Sequence, residues 1–263
     1  MHGTNSSRVS RNIAFNVAGM AVYIEDGVEE NNLFEYNLVS FIHPIYRPAD
    51  GGWGQGGESF SAIDGQLLIP ADTSAAGFYI SNAMNTFIGN AVSGGWSGFA
   101  FPNVAVPLGN FKGTIPADSN YLPLNRPLKS FYGNTAHSSG FYWQGQGSCV
   151  YVGAWLTYDA NGVMTYNSGR NERNTKFGDG TITYMLFQET KTFLCNIGIA
   201  HWGNNVQIDS AEMHDSLRAA MMFGQSALHN ALVNINSNNP NNQLIPWASR
   251  IGFQFYDTWV QVN

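Results

Sequence analysis

The sequence predicts an all-β chain wound as a right-handed parallel β-helix, a solenoid with long loop insertions, and three observations lead there. A short phrase recurs along the chain: an apolar or aromatic strand, an Asn, then a small or apolar pair. Long amphipathic helical patterning is scarce. Glycine and asparagine each number 29 of the 263 residues, while charged residues are only 11%, less than half of the roughly 25% usual in a soluble domain.

The phrase reads Ile13 to Ala18 around Asn16, Phe34 to Val39 around Asn37, and Phe87 to Val92 around Asn90. It returns as Phe131 to Ala136 around Asn134 and Phe193 to Gly198 around Asn196, with looser copies around Asp215 and Asn234. The spacings are 21, 53, 44, 62, 19 and 19 residues, so three lie near a common period and the longer ones hold extra periods or insertions. Short strands at such a period cannot form a core alone. Stacked as parallel coils, they bury their inward side chains and pair their backbones with the coils above and below. Asn suits the corners because it tolerates the left-handed backbone region, and because its amide can bond the same residue in the next coil.

Residues 210–232, rich in Ala and Met, are the best helical candidate. The short period continues through them, and they are read as two more coils. Residues 44–76, 102–127, 159–180 and 236–243, rich in Gly, Pro or Asn, read as loops. The chain opens close to its first strand and closes on a strand at 259–263 without a polar cap. A solenoid end of that kind suggests a single domain cut from a longer chain, or oligomers that stack through the uncapped ends.

Charge and hydropathy exclude several classes. A net charge of −6, with only 12 Lys and Arg, argues against nucleic acid. No apolar run approaches the ~20 residues of a membrane helix, and no basic-then-apolar leader is visible. Cys149 and Cys195 are as consistent with a disulfide as with two free thiols, and no paired His or Cys spacing points to zinc.

Residues 11–38, containing Glu25-Asp26-Gly27-Val28-Glu29 followed by Asn32, are similar to the β-helix region of the G8-domain proteins. That group comprises the cell-surface hyaluronidases, the cell-migration-inducing hyaluronan-binding proteins and the fibrocystin-like receptors. Residues 76–101 and 127–140 resemble the same region, and the resemblance spans roughly residues 2–143. It implies a pectin-lyase-like helix, an extracellular or cell-surface setting and a hyaluronan-like ligand. For members that cleave, it implies calcium-assisted hydrolysis. Two departures stand out: Met20 occupies the place of a family histidine, and the companion G8 domain is absent from this sequence.

Glu25, Asp26, Glu29 and Glu30 form the densest acidic cluster. Glu25, Asp26 and Glu29 are candidate Ca²⁺ ligands, since Ca²⁺ takes several oxygens from a loop. Asp26 and Glu29, with His137, are the candidate acid/base set for glycoside cleavage. The competing reading is an Asp26-Gly27 turn whose glutamates are solvated or paired with Arg8 and Arg11. His137 and His201 each follow a corner Asn and could face substrate or fill half-buried structural positions. Arg170 and Arg173 lie in a polar loop that could meet a uronate. Trp96, Trp143 and Trp202 are candidate sugar-stacking rings, and the neighbouring Phe99, Phe101 and Phe141 are assigned to the core.

Together these features predict recognition, with cleavage as hydrolase or lyase left open, of an extracellular polysaccharide. The alternative is a non-catalytic structural, receptor or adhesion module.

Overall fold

The computed structural model describes residues 1–43, 75–113, 121–140, 147–158, 164–167, 173–174, 183–238 and 250–262. Among the described residues the architecture is a parallel β-helix of seven stacked coils with three strands to a coil. The first coil holds Arg8–Ser10, Ile13–Ala18 and Met20–Ile24. The second holds Leu33–Glu35, Leu38–His43 and Ala76–Ile80, and the third Thr86–Ile88, Ala91–Gly94 and Ser97–Asn103. Ser130–Tyr132, Thr135–His137 and Ser148–Tyr158 make the fourth; Met185–Gln188, Lys191–Phe193 and Ile197–His201 the fifth.

Val206–Asp209, Glu212–His214 and the start of Arg218–His229 form the sixth coil. The end of that long strand opens the seventh, which continues through Leu232–Asn234 and Ile251–Val262. Residues 210–232 are therefore strands and corners of the coils, as the period predicts. Arg218–His229 turns a corner without a break: Arg218 to Met221 pair with Ile197 to Ala200, and Ser226 to His229 pair with Val206 to Asp209. Among the described residues there is no α-helix, only the short 3₁₀ turns Gly109–Phe111 and Pro123–Asn125. Both lie within the stretch read as loop at 102–127.

Each coil contributes one strand to each of three faces, called first, second and third in chain order. The core is what the alternation predicts. On the first face Phe34, Phe87, Phe131 and Phe187 point inward in register; Phe34 stacks on Phe87 at 5.1 Å, and Phe131 meets Phe187 edge-on at 5.0 Å. Phe78 and Phe99 stack at 5.0 Å from the third face. All six are 0–1% exposed, and burying one such ring stabilises the fold by about 1.5–3 kcal/mol.

The corner between first and second faces carries the asparagine ladder. The amide Nδ2 of Asn12 donates to Oδ1 of Asn37, Asn37 to Asn90, and Asn90 to Asn134, each at 2.9 Å. The next positions in register are Thr190, Ala211 and Ala231, where the ladder ends. Asn37, Asn90 and Asn134 are thus ladder residues as predicted. The first rung is Asn12 rather than Asn16, and Asn196, Asp215 and Asn234 lie elsewhere in register. The residue before each rung takes a left-handed backbone: Arg11, Tyr36, Gly89, Gly133, Glu189, Ser210 and Asn230 have φ between 47° and 64°. That turn continues after the asparagines stop, so the corner persists where its side-chain signature does not.

Cys149 and Cys195 are paired across the fourth and fifth coils, with both sulfurs buried. Closing a 46-residue loop this way constrains the unfolded chain by about 4 kcal/mol in the loop-entropy account.

The second and third faces differ in what lies outside them. On the third, the residues that alternate with the inward ones (Tyr79, Ala100, Tyr151 and Ala200) are also buried. On the second, the alternating residues reach solvent.

Candidate functional site

The outer side of the second face is open to solvent, unlike that of the third. In register, coil by coil, its ladder runs Phe15, Ser40, Ser93, His137, Phe193 and His214. Ser40 has the register of Ser93 because an extra residue bulges after it, and that residue is Phe41. Phe41 adopts φ 56°, a backbone state uncommon for an aromatic residue, and its ring stands outward against Phe15 at 6.0 Å. Phe15 and Phe41 are 72% and 47% exposed, and Ile13 and Leu38 flank them at 77% and 45%. His43 lies 5.6 Å from the Phe41 ring and reaches Asn16 Oδ1 at 3.1 Å.

Farther along, Ser40 and Ser93 share a 3.0 Å hydrogen bond. The His137 ring stacks flat on Phe193 at 4.5 Å, and its Nδ1 meets Ser138 Oγ at 3.0 Å. Partial burial lowers the His137 pKa, so the ring is neutral at pH 7. A Lys191–Glu212 ion pair at 3.0 Å borders this end. Rings, hydroxyls and a neutral imidazole therefore recur at the spacing of neighbouring strands, about 4.8 Å. A surface of this kind can stack on and hydrogen-bond an extended polar polymer.

The acidic loop follows the third strand of the first coil, and its chemistry is mainly internal. Glu29 is fully buried, and its two carboxylate oxygens accept backbone N–H bonds from Gly3 (2.9 Å), Asp26 (3.2 Å), Gly27 (2.9 Å) and Val28 (3.0 Å). Four donors fill its lone-pair directions. Glu30 is held by Arg126 at 2.6 and 3.1 Å, by the Tyr121 hydroxyl at 2.9 Å and by Asn82 at 3.1 Å. Burial, and then the Glu30 charge, push the Tyr121 phenol well up, so it stays a donor. The partner of Glu30 is Arg126, while Arg8 pairs with Glu35 across the first two coils. The reading of solvated glutamates paired with Arg8 and Arg11 therefore gives way to a buried loop anchor.

Glu25 and Asp26 face a residue the sequence reading did not single out. His2 Nε2 is 3.0 Å from Glu25 Oε2, and His2 Nδ1 is 3.2 Å from Asp26 Oδ2. Burial raises the Glu25 pKa. His2 lies 24 residues from Asp26 and only the stacking of the N-terminal segment on the first coil joins them, so no local spacing signals the contact.

These positions answer several expectations. His137 belongs to the open face, but it sits three coils from the acidic loop, roughly 14 Å along the axis at the parallel-strand spacing. That exceeds the roughly 5–9.5 Å between paired glycosidase carboxyls, so Asp26, Glu29 and His137 are not brought together as one acid/base set. Trp96 and Trp202 are buried, not surface rings: Trp96 packs on Tyr151 at 4.7 Å and Trp202 between Phe223 and Tyr256.

His201 is likewise fully buried, in register with inward Phe101 and Val152. Its Nδ1 meets the Gly203 carbonyl at 3.2 Å, and burial lowers its pKa to about 4. It cannot face a substrate. Arg173 lies in the short strand Arg173–Asn174, paired with Gly203–Asn204. Trp143 and Arg170 lie outside the described residues. Phe99 and Phe101 are core as expected, and Phe141 lies outside the described residues; the exposed rings of the second face are Phe15 and Phe41, which the sequence does not single out. The outward alternation of each repeat phrase was the available signal for Phe15; the bulge that exposes Phe41 left none.

The CEMIP beta-helix family model matches residues 1–143. A G8 domain-containing protein of Dictyostelium discoideum is 49% identical over 267 residues, covering 99% of this chain and 18% of that relative. Communication mutant protein F of the same organism is 44% identical over 269 residues, covering 99% of this chain and 23% of its own length. Human Fibrocystin-L is 32% identical over 143 residues, 54% of this chain and 3% of that protein. The chain spans about a fifth of the length of these Dictyostelium relatives.

Proposed function

The chain belongs to the CEMIP β-helix family, and we propose that it is a module that recognises an extracellular polysaccharide on the open second face and does not cleave it. The observation that carries this reading is the exposed Phe15–Phe41 pair, continued in register by Ser40, Ser93, His137 and Phe193. Apolar rings at 72% and 47% exposure are costly to leave in water, and the CH faces of pyranose rings suit them. Successive strands repeat at about the length of one sugar ring, so an extended chain lying along the axis meets similar chemistry at each coil.

Binding without cleavage is favoured because Glu29 is saturated by backbone donors and His137 lies far from the carboxylates. The paired Cys149 and Cys195 support an oxidising, extracellular or cell-surface setting. Hyaluronan is the first ligand to test. The net charge of −6 opposes a polyanion, so hyaluronan binding should tighten as salt screens the repulsion.

A second reading, a purely structural module, is favoured by the internal use of Glu29 and Glu30. The deciding experiment incubates purified protein with hyaluronan, chondroitin, pectate, alginate and a neutral β-glucan, following binding, new reducing ends and unsaturated products. Binding with neither product signal is the expected result. New reducing ends or unsaturated products would overturn the non-cleaving reading, and a folded protein that binds none would favour the structural module.

A further inference from the structure

The family resemblance implies calcium, but the groups around the acidic loop do not suit it. Ca²⁺ takes six to eight oxygen ligands. Glu29, the most deeply placed carboxylate, has both oxygens committed to backbone N–H groups, and Glu30 is committed to Arg126 and Tyr121. What remains is Glu25, Asp26 and one imidazole, whose ligand atoms all lie within 4.8 Å of one another.

The burial of Asp26 also favours a cation at this place. Asp26 is 2% exposed, and its Oδ2 meets only His2. No hydrogen bond from the described residues reaches its Oδ1, which instead lies against Gly109. An added Cβ at Gly109 would sit 2.4 Å from that oxygen, and Gly109 has φ 55°, so the close approach depends on glycine. A carboxylate on a residue this deeply buried is costly unless cationic partners compensate it. Among the described residues, the one side chain that reaches the Asp26 carboxylate, His2, is shared with Glu25.

We propose that His2, Glu25 and Asp26 form a binding site for a divalent transition metal of the zinc type rather than for calcium. One imidazole nitrogen with two carboxylates is a donor set that zinc accepts, and small ligand number suits its four-coordinate preference, with water completing the shell. The ion neutralises the two acids and ties residues 1–4 to the loop that closes the first coil. It stabilises that end of the solenoid and takes no part in the glycan reading, which can fail independently.

The test uses the chelator-stripped chain, titrated calorimetrically with ZnCl₂ and with CaCl₂, and melted with each. Zinc should bind at a single site and raise Tm, while calcium at the same concentration should leave Tm unchanged. His2→Ala, at an exposed side chain, and Glu25→Gln should each weaken zinc binding at least tenfold while the stripped proteins melt as wild type. His214→Ala, beside Glu212 on the second face, should keep it. Calcium binding as tight as zinc, zinc affinity unchanged in His2→Ala, or no zinc binding by the folded chain would each overturn the proposal.

Discussion

The second and third faces of this solenoid are built from the same alternation and end in opposite environments. Outward Tyr79 and Tyr151 on the third face are 2% and 1% exposed, whereas outward Phe15 on the second is 72% exposed. Period-two patterning decides which residues point in; it does not decide whether the outside of a sheet is covered. An aromatic residue at an outward position is therefore packing on one face and available surface on the other. Trp96 and Phe15 exchange the roles their residue types suggest for this reason.

Substitutions sharpen the contrast. Phe99→Ala, in the shared interior, should destabilise by about 3–5 kcal/mol, read from chemical denaturation. A loss below 1 kcal/mol would mean the core is not closed around that ring.

Protonation separates His201 from His137 in the same way. The folded-state pKa of His201, about 4, lies below the unfolded value, so the unfolded chain binds the proton more readily. Stability should be fully present above about pH 6.5 and fall by roughly 3 kcal/mol as pH drops toward 4. His201→Leu should flatten that slope, whereas His137→Ala should leave most of it, since His137 is only half-buried and its pKa is lowered less sharply.

Within the acidic loop, Glu29→Gln turns one oxygen acceptor into a donor facing backbone N–H groups, and should cost about 2–3 kcal/mol. Asn90→Ala removes the acceptor of the Asn37 N–H and Nδ2 groups and the donor to the Phe34 carbonyl; a loss of about 2 kcal/mol in thermal or denaturant melts is expected. Smallest of all, Phe15→Ala should change stability by no more than about 0.5 kcal/mol. Equal losses at Phe99 and Phe15 would erase the distinction between the faces.

Much of the fold was legible because it is written in short range. Phe34, Phe87 and Phe131 with the Asn that follows each mark a coil, and their register is the one observed. The family resemblance was legible over the same stretch that the family matches, because Glu25-Asp26-Gly27-Val28-Glu29 is a contiguous phrase. The first ladder rung was misassigned because Asn16 fits the phrase as well as Asn12 does; only pairing of Ile13 with Leu38 sets the register.

The site was less legible. The acidic phrase drew notice as a cation site, yet the donors to Glu29 are backbone groups that no side chain advertises. His2 reaches Glu25 and Asp26 only through coil stacking. Trp202 resembled a surface position because what covers the third face is a matter of tertiary packing, and His201 did because only its register with Phe101 and Val152 turns it inward.

The most direct test of the open-face account is glycan affinity of two variants measured beside wild type. Phe15→Ala combined with Phe41→Ala removes the exposed pair, while Trp202→Phe alters a buried ring. The account predicts at least a tenfold loss of affinity, about 1.4 kcal/mol, for the double variant and an unchanged Kd for Trp202→Phe. Full affinity in the double variant, with a loss in Trp202→Phe, would contradict it.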